Sequence, residues 1–248
     1  MKMGIISKSI SNILGGNLTE GKDVIMSRSL SMPFCEGGCN ACGECVRICP
    51  TNAIGLDGGW SIDVGRCIFC MECVRSCDSI GLVDAPVAVR RRGDLIFKEG
   101  ESMQRADALF DSDVRRAIGK SISIREVDTG SCNACEAEVN MMSSPYMDFE
   151  RFGMRIVASP RHADVLLVTG PVTENMRDAF LNAIASTPSP KVIVAMGTCA
   201  ISGGIFSKGN VIGEGILGTC SVDLYIPGCP PSSDMLVKAL LMALKKDV

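Results

Sequence analysis

Eight cysteines fall in two blocks of one spacing. The first reads Cys39-x2-Cys42-x2-Cys45-x3-Cys49-Pro50 and the second Cys67-x2-Cys70-x2-Cys73-x3-Cys77, with 17 residues between Cys49 and Cys67. A four-iron cubane needs one thiolate at each iron. Three thiols on a tight C-x2-C-x2-C loop can wrap three corners of a cube, so the fourth must come from elsewhere. Where this run occurs twice, the fourth Cys of each block serves the other cluster. The spacing therefore assigns Cys39, Cys42, Cys45 and Cys77 to one 4Fe-4S cluster, and Cys67, Cys70, Cys73 and Cys49 to a second. Disulfides and structural zinc are the ordinary alternatives. Zinc takes two C-x2-C pairs or Cys/His mixtures, whereas here a three-plus-one pattern repeats and the chain has one His. Asp78 stands where the first block has Pro50, a change of turn that removes no ligand. Cys35 is surplus to the eight and reads as a spare buried thiol or an alternative ligand.

A second set lies further on: Cys132-x2-Cys135, Cys199, Cys220 and Cys229. Its meaning depends on the elements that carry it. Residues 121–127 alternate apolar and polar, as a half-buried strand does. Residues 155–158, 163–169, 191–196 and 222–226 are also strand-like, and 173–185 have helical spacing. Ser232 or Ser233 can cap a last helix over 234–245, with lysines at its C-terminal end. Strands alternating with helices imply a parallel α/β sheet, whose sites gather beyond the carboxyl ends of the strands. Cys132, Cys135, Cys199 and Cys229 each follow such a strand, so they should converge on one edge. Four thiolates there make a third 4Fe-4S site. Zinc remains open for this set, because C-x2-C with two distant cysteines is less specific. Cys220, in a Gly-Thr loop, is the rival to Cys229.

The two blocks must be positioned by little else. Residues 35–85 form a small module with an internal repeat of roughly 28 residues, and such a module buries too little apolar surface to fold on packing alone. Cluster binding must supply much of its folding free energy. Before it, residues 1–34 carry Ile6, Ile10, Ile13 and Leu14 at helical spacing. That segment reads either as a frayed terminus or as an amphipathic helix lying on a membrane partner or lipid surface. Residues 86–120 read as a linker followed by a connecting helix over 101–118. Arg90-Arg91-Arg92 within it reads as a solvated or partner-facing patch.

Composition excludes several functions. With 248 residues, 46% apolar and 21% charged, the chain is globular. Fourteen cysteines without a secretory signal point to a reducing compartment and to metal. No apolar run approaches the roughly 18 residues needed to span a bilayer. A net charge of −3 and 4% aromatics leave no footprint for nucleic acid. No nucleophile–base pair, phosphate loop or dinucleotide motif is present, so no residue is assigned catalysis. His162 reads as a turn residue and Glu138 as an ordinary helix-face residue.

Four motifs carry a family resemblance. They are 131–136 (Ser-Cys-Asn-Ala-Cys-Glu), 159–164 (Ser-Pro-Arg-His-Ala-Asp), 197–206 with Cys199 and Gly203-Gly204, and 225–231 (Tyr-Ile-Pro-Gly-Cys-Pro-Pro). In this order they resemble the small subunit of membrane-bound, energy-converting NiFe hydrogenases of the formate hydrogenlyase type, related to complex I. The complex I subunit has adjacent cysteines at the first pair, so Cys132-x2-Cys135 favours the hydrogenase branch. Residues 1–100 resemble the separate ferredoxin subunit of the same complexes, and the two are fused here. The resemblance implies an α/β chain in four parts. They are an N-terminal amphipathic segment (1–34), a two-cluster ferredoxin domain of α+β type (35–85), linker and connecting helix (86–120), and a flavodoxin-like parallel-sheet domain (121–248). It implies a non-catalytic electron-transfer subunit with three 4Fe-4S clusters, the third held by Cys132, Cys135, Cys199 and Cys229. Its partners would be a large subunit carrying nickel and iron, and membrane subunits of an ion-pumping complex, on the cytoplasmic side of the membrane. The alternative is a complex-I-like oxidoreductase lacking nickel that reduces a quinone, sulfur species or other carrier. Glu136 reads either as a carboxylate favoured by its helix N-terminus or, as in the family, as a proton-path or cluster-tuning group.

Overall fold

The computed structural model describes residues 30–101, 110, 115–116, 121–209 and 215–244. The expected N-terminal helix lies outside these residues, as does most of the connecting helix. Of the latter, buried Phe110 is described, and its N–H donates to the Ala243 carbonyl at 2.9 Å.

The cysteine-rich stretch is held by two small antiparallel sheets. Strand β1 (Ser31–Cys35) pairs with β4 (Ile80–Asp84), Cys35 opposite Ile80, which stitches the start of the stretch to its end. Strands β2 (Ile54–Gly55), β3 (Ser61–Asp63) and β5 (Ile96–Lys98) form the other. The stretch expected as linker therefore supplies a strand, with Phe97 buried opposite Ile62 and its neighbours exposed. Arg92 is not a solvated charge. It makes a two-pronged ion pair with Asp63, at 2.8 and 2.5 Å. Helices α1 (Glu44–Ile48) and α2 (Glu72–Ser76) follow the two loops at matching places. The sequence repeat is also a backbone repeat. Ala41 and Gly43 have φ of 54° and 79°, and their counterparts Phe69 and Met71 have 57° and 63°. Two bulky residues thus hold a left-handed conformation that costs free energy and persists where its surroundings impose it.

The second half is a five-stranded parallel sheet. Its strands are β6 (Ile122–Asp128), β7 (Met154–Ile156), β8 (Val165–Thr169), β9 (Val192–Met196) and β10 (Leu224–Ile226), in the spatial order β7-β6-β8-β9-β10. That is the flavodoxin order, with its switch point between β6 and β8. The helices are α3 (Ala134–Met142), α4 (Arg177–Ser186), α5 (Gly197–Ser202) and α6 (Ser233–Leu244). Side chains alternate between two faces, as a pleat requires. Val192, Val194 and Met196 pack with Val139 and Met142 of α3 and with Leu236, Leu240 and Leu244 of α6. Ile193 and Ala195 pack on the other face with Phe180 of α4 and Ile201 of α5. This second core does not stop at the sheet. It continues into Trp60, Ile62, Leu95 and Phe97 of the cysteine-rich half. The stretch leading away from β4 reaches the sheet as well: Val89 and Tyr225 exchange N–H···O bonds of 3.0 and 2.8 Å. Among the described residues, no helix is long and apolar enough to cross a membrane.

Candidate metal centres

The fold sorts the expected ligands into three groups. In the first, burial is the main cause that raises the Cys45 thiol, and nearby Cys77 and Cys39 add to it. Cys42 is exposed on the same loop, its N–H donating to Asn40 Oδ1 at 3.2 Å. Cys35 is fully buried beside Cys39 and Cys77. Glu99 closes this corner by accepting from the Cys39 N–H at 3.1 Å. In the second group, burial pushes Cys67 up to about 12, with Cys73, Cys49 and Cys70 adding their repulsion. Cys73 is pushed up to about 11, by burial first and then by Cys49 and Cys70. These four cysteines line one hollow of about 330 Å³, counted to its open mouth, walled by Pro33, Ile54, Ile62 and Ile68.

The third group lies at the carboxyl edge of the parallel sheet. Cys132 and Cys135 follow β6, Cys199 sits in α5 after β9, and Cys229 follows β10. Burial raises Cys135 first, then Glu136, then Cys199, Cys229 and Cys132. Cys199 is pushed up to about 12 by burial, Cys229 and Cys132. Cys220 stands apart: burial pushes it up to about 11, and the charges that bear on it are Asp223 and Lys191. The motif at 197–206 opens on a short helix. Gly197 turns directly into α5, whose end is tied by Ser202 Oγ donating to the Thr198 carbonyl at 3.0 Å. Among the described residues, no three His, Cys, Asp or Glu side chains close on one point as ligands of a single ion do.

The surroundings suit iron–sulfur clusters in three respects. The first is space kept by glycine. A Cβ at Gly197, where φ is +84°, would stand 2.8 Å from Cys135 Sγ, and one at Gly204 would stand 3.1 Å from Cys199 Sγ. The second is N–H donation to sulfur, which tunes potential. The N–H groups of Ala41, Ala53 and Phe69 donate to the sulfurs of Cys39, Cys49 and Cys67 at 3.4, 3.2 and 3.4 Å. The third is an unused donor. Trp60 is 1% exposed and its Nε1 has no hydrogen-bond acceptor among the described residues, yet its N–H favours the thiolate of neighbouring Cys45. A sulfur in that corner would satisfy it. Raised thiols are no obstacle, since metal binding expels their protons and supplies the compensating charge.

Sequence reasoning missed several residues that hold the third group. At the switch point, Thr129 Oγ1 donates to the Thr169 carbonyl at 2.6 Å, and Thr169 Oγ1 donates to Glu136 Oε1 at 2.6 Å. Glu136 is buried there, and its Oε2 has no hydrogen-bond partner among the described residues. Glu138 is more than a helix-face residue. It accepts from the Ser233 N–H at 2.7 Å and so places a negative charge on the N-terminus of α6. The capping residue of α6 is Ser232, whose Oγ accepts from the Met235 N–H at 3.3 Å. Paired acids and hydroxyls near cysteines were the available signal, but their partners are far away in sequence.

Two family models match the chain. The 4Fe-4S dicluster domain matches residues 38–79, and the NADH ubiquinone oxidoreductase, 20 Kd subunit, matches residues 132–243. Formate hydrogenlyase subunit 7 of Escherichia coli is 45% identical over 129 residues, 52% of this chain and 51% of that protein. The chain thus spans about half the length of that relative. "Probable membrane-bound hydrogenase subunit mbhJ" of Pyrococcus furiosus is 39% identical over 129 residues, covering 52% of this chain and 77% of that one. A chain in the structure of a membrane-bound sulfane sulfur reductase, an archaeal respiratory membrane complex, is 30% identical. It covers 55% of this chain and 77% of its own, with a TM-score of 0.46. The chain belongs to the NADH ubiquinone oxidoreductase 20 Kd subunit family, with a 4Fe-4S dicluster segment placed ahead of that family's parallel sheet.

Proposed function

We propose that the chain is a non-catalytic electron-transfer subunit of a membrane-associated NiFe hydrogenase complex. It would hold three 4Fe-4S clusters and exchange electrons at the third with a partner large subunit bearing the nickel–iron site. What supports this reading is the nearness of thiols from separate stretches: Cys45 beside Cys39 and Cys77, the hollow lined by Cys49, Cys67, Cys70 and Cys73, and Cys135 beside Cys132, Cys199 and Cys229. Cys39, Cys42, Cys45 and Cys77 would hold the first cluster, Cys49, Cys67, Cys70 and Cys73 the second, and Cys132, Cys135, Cys199 and Cys229 the third. Bound there, the clusters supply one-electron transfer. The chain's own residues bury the sulfurs, aim N–H groups at them and keep the spacing between groups through a shared core. The likeness to hydrogenase subunits supports the large-subunit partner and a peripheral place on the cytoplasmic face beside membrane subunits. We propose domain limits at 35–85 and 121–248, with β5 belonging structurally to the first.

The test is metal analysis of the chain and its co-purifying partners, isolated without oxygen. About twelve irons per chain with stoichiometric nickel on a larger partner is the expected result. About twelve irons without nickel would move the chemistry to a complex-I-like acceptor. About eight irons with one zinc would overturn the third cluster and the electron route through the sheet.

A further inference from the structure

One buried hydroxyl bridges the two halves beside their cysteines. Thr198 is 1% exposed and stands next to Cys199. Its Oγ1 lies 2.7 Å from the Cys67 carbonyl oxygen and 3.0 Å from the Gly228 carbonyl oxygen, and its N–H donates to the Gly228 carbonyl at 2.8 Å. A hydroxyl has one proton, and the shorter contact is to Cys67. Thr198 therefore ties together the loops of Cys67, Cys199 and Cys229. A second contact presses the same surfaces together. A Cβ at Gly65 would stand 2.8 Å from Ile201 Cγ2 in α5, so the approach to Cys67 has no room for a larger residue. Cys67 shares its hollow with Cys49, Cys70 and Cys73. That set faces the sheet, while the Cys39 corner is closed within its own half by Glu99 and Trp60.

We propose that Thr198 is a positioning residue that couples the Cys49–Cys67–Cys70–Cys73 site to the Cys132–Cys135–Cys199–Cys229 site, making this the crossing point for electrons. The inference rests on the three-cluster reading and adds to it the order of the route. From Cys67 Sγ the path runs through that residue's own backbone to its carbonyl, over one hydrogen bond to Thr198, and through the backbone to Cys199 Sγ. Tunnelling decays less steeply through bonds than across a gap, so removing the hydroxyl should weaken coupling without removing a ligand. The step moves one electron. One site is oxidised as the other is reduced, no bond forms or breaks, and the Thr198 proton stays on its oxygen. A low-potential one-electron donor, reduced viologen, starts it.

The experiment compares wild type, T198V and T198S in the intact chain with its partners, prepared without oxygen. It reads iron content, the spin–spin interaction between the two reduced sites, and the electron equilibration rate after flash reduction. The expected T198V result is full iron, a weaker spin interaction and equilibration about tenfold slower, at the low end of what losing an outer-shell partner does at metal sites. T198S should restore both. Full iron with wild-type coupling and rate in T198V would overturn the proposal. A wild-type chain with only about eight irons would instead overturn the three-cluster reading beneath it. Should T198V lose iron, C77S decides, because its altered ligand marks the other module site. An unchanged spin interaction at the sheet-edge site in C77S supports the proposed order, and a changed one overturns it.

Discussion

The two halves of this chain hold thiols by opposite means. In the first, eight candidate ligands crowd into residues 39–77, on short helices and strands of two to five residues. Its backbone bends into left-handed conformations at Phe69 and Met71 with only slender sheets to enforce them. In the second, four candidate ligands are spread from Cys132 to Cys229 and are gathered by a sheet with fully buried apolar strands. The first half is therefore expected to depend on its cofactors for order beyond the core it shares with the sheet. The second has a large core of its own. Ligand density along the chain therefore says which partner, protein or cluster, supplies the order.

The largest effect that could break this contrast is removal of iron. Under an anaerobic chelator, amide hydrogen exchange should become nearly unprotected over 36–85, while β6, β8 and β9 keep reduced but clear protection. Equal loss in both halves would mean that the sheet also depends on its cluster. A smaller and more local effect is expected of G197A. Its Cβ meets Cys135 Sγ at 2.8 Å in a backbone conformation unsuited to side chains. About four of twelve irons should be lost, with module spectra unchanged, as read by iron content and paramagnetic resonance. Retention of all iron would show that the sheet edge has more freedom than its glycines suggest.

Smaller still is the response to W60F. Loss of the orphaned Nε1–H beside Cys45 removes a donor that favours the more negative, reduced state. The potential of that site should fall by tens of millivolts in a redox titration, the other two staying put. The least effect concerns the sheet alone. Burial pushes the Glu126 carboxyl up to about 7 from an ordinary 4.5, and neighbouring Glu136 and Asp128 add to it while Arg125 opposes. Between those values the folded chain keeps a proton that the unfolded chain has released. Stability should therefore fall as pH rises from about 4.5 to 7, then level off. After allowance for solvent screening, E126Q should gain about 1 kcal/mol at pH 8, some 2–4 °C in melting temperature, and almost nothing at pH 4.5. A gain equal at both pH values would make the group a packing defect instead of a titrating one.

Legibility in the sequence followed the same divide. The cysteine blocks could be read directly, because their ligands are local and their spacing is the signal. The strands over 163–169 and 191–196 were legible from apolar runs and lie at Val165–Thr169 and Val192–Met196. The carboxyl-edge placement of Cys132, Cys135, Cys199 and Cys229 followed from strand order alone. Short helix α5 was not legible, since it opens on Gly197 and is followed at once by Gly203-Gly204, which hide its six residues. Strand β5 was hidden in an apparent linker because three residues carry too little periodicity to register. Thr198 could not be found at all: its bond to Cys67 spans 131 positions, and one threonine beside a cysteine has no pattern.

The Val89–Tyr225 pairing has a consequence for the life of the free chain. Strand β10 ends the parallel sheet, and its outer side would otherwise offer unpaired N–H and C=O groups to any passing strand. Such borders are templates for intermolecular β-addition. Here the stretch leaving the cysteine-rich half lies antiparallel along that border and satisfies Tyr225 on both counts. Joining the halves thus does more than fix distances: it gives the sheet a built-in guard against self-association. A sheet half cut free between Val89 and Ile122 and separated from the first half would lose that guard and expose the border at Tyr225.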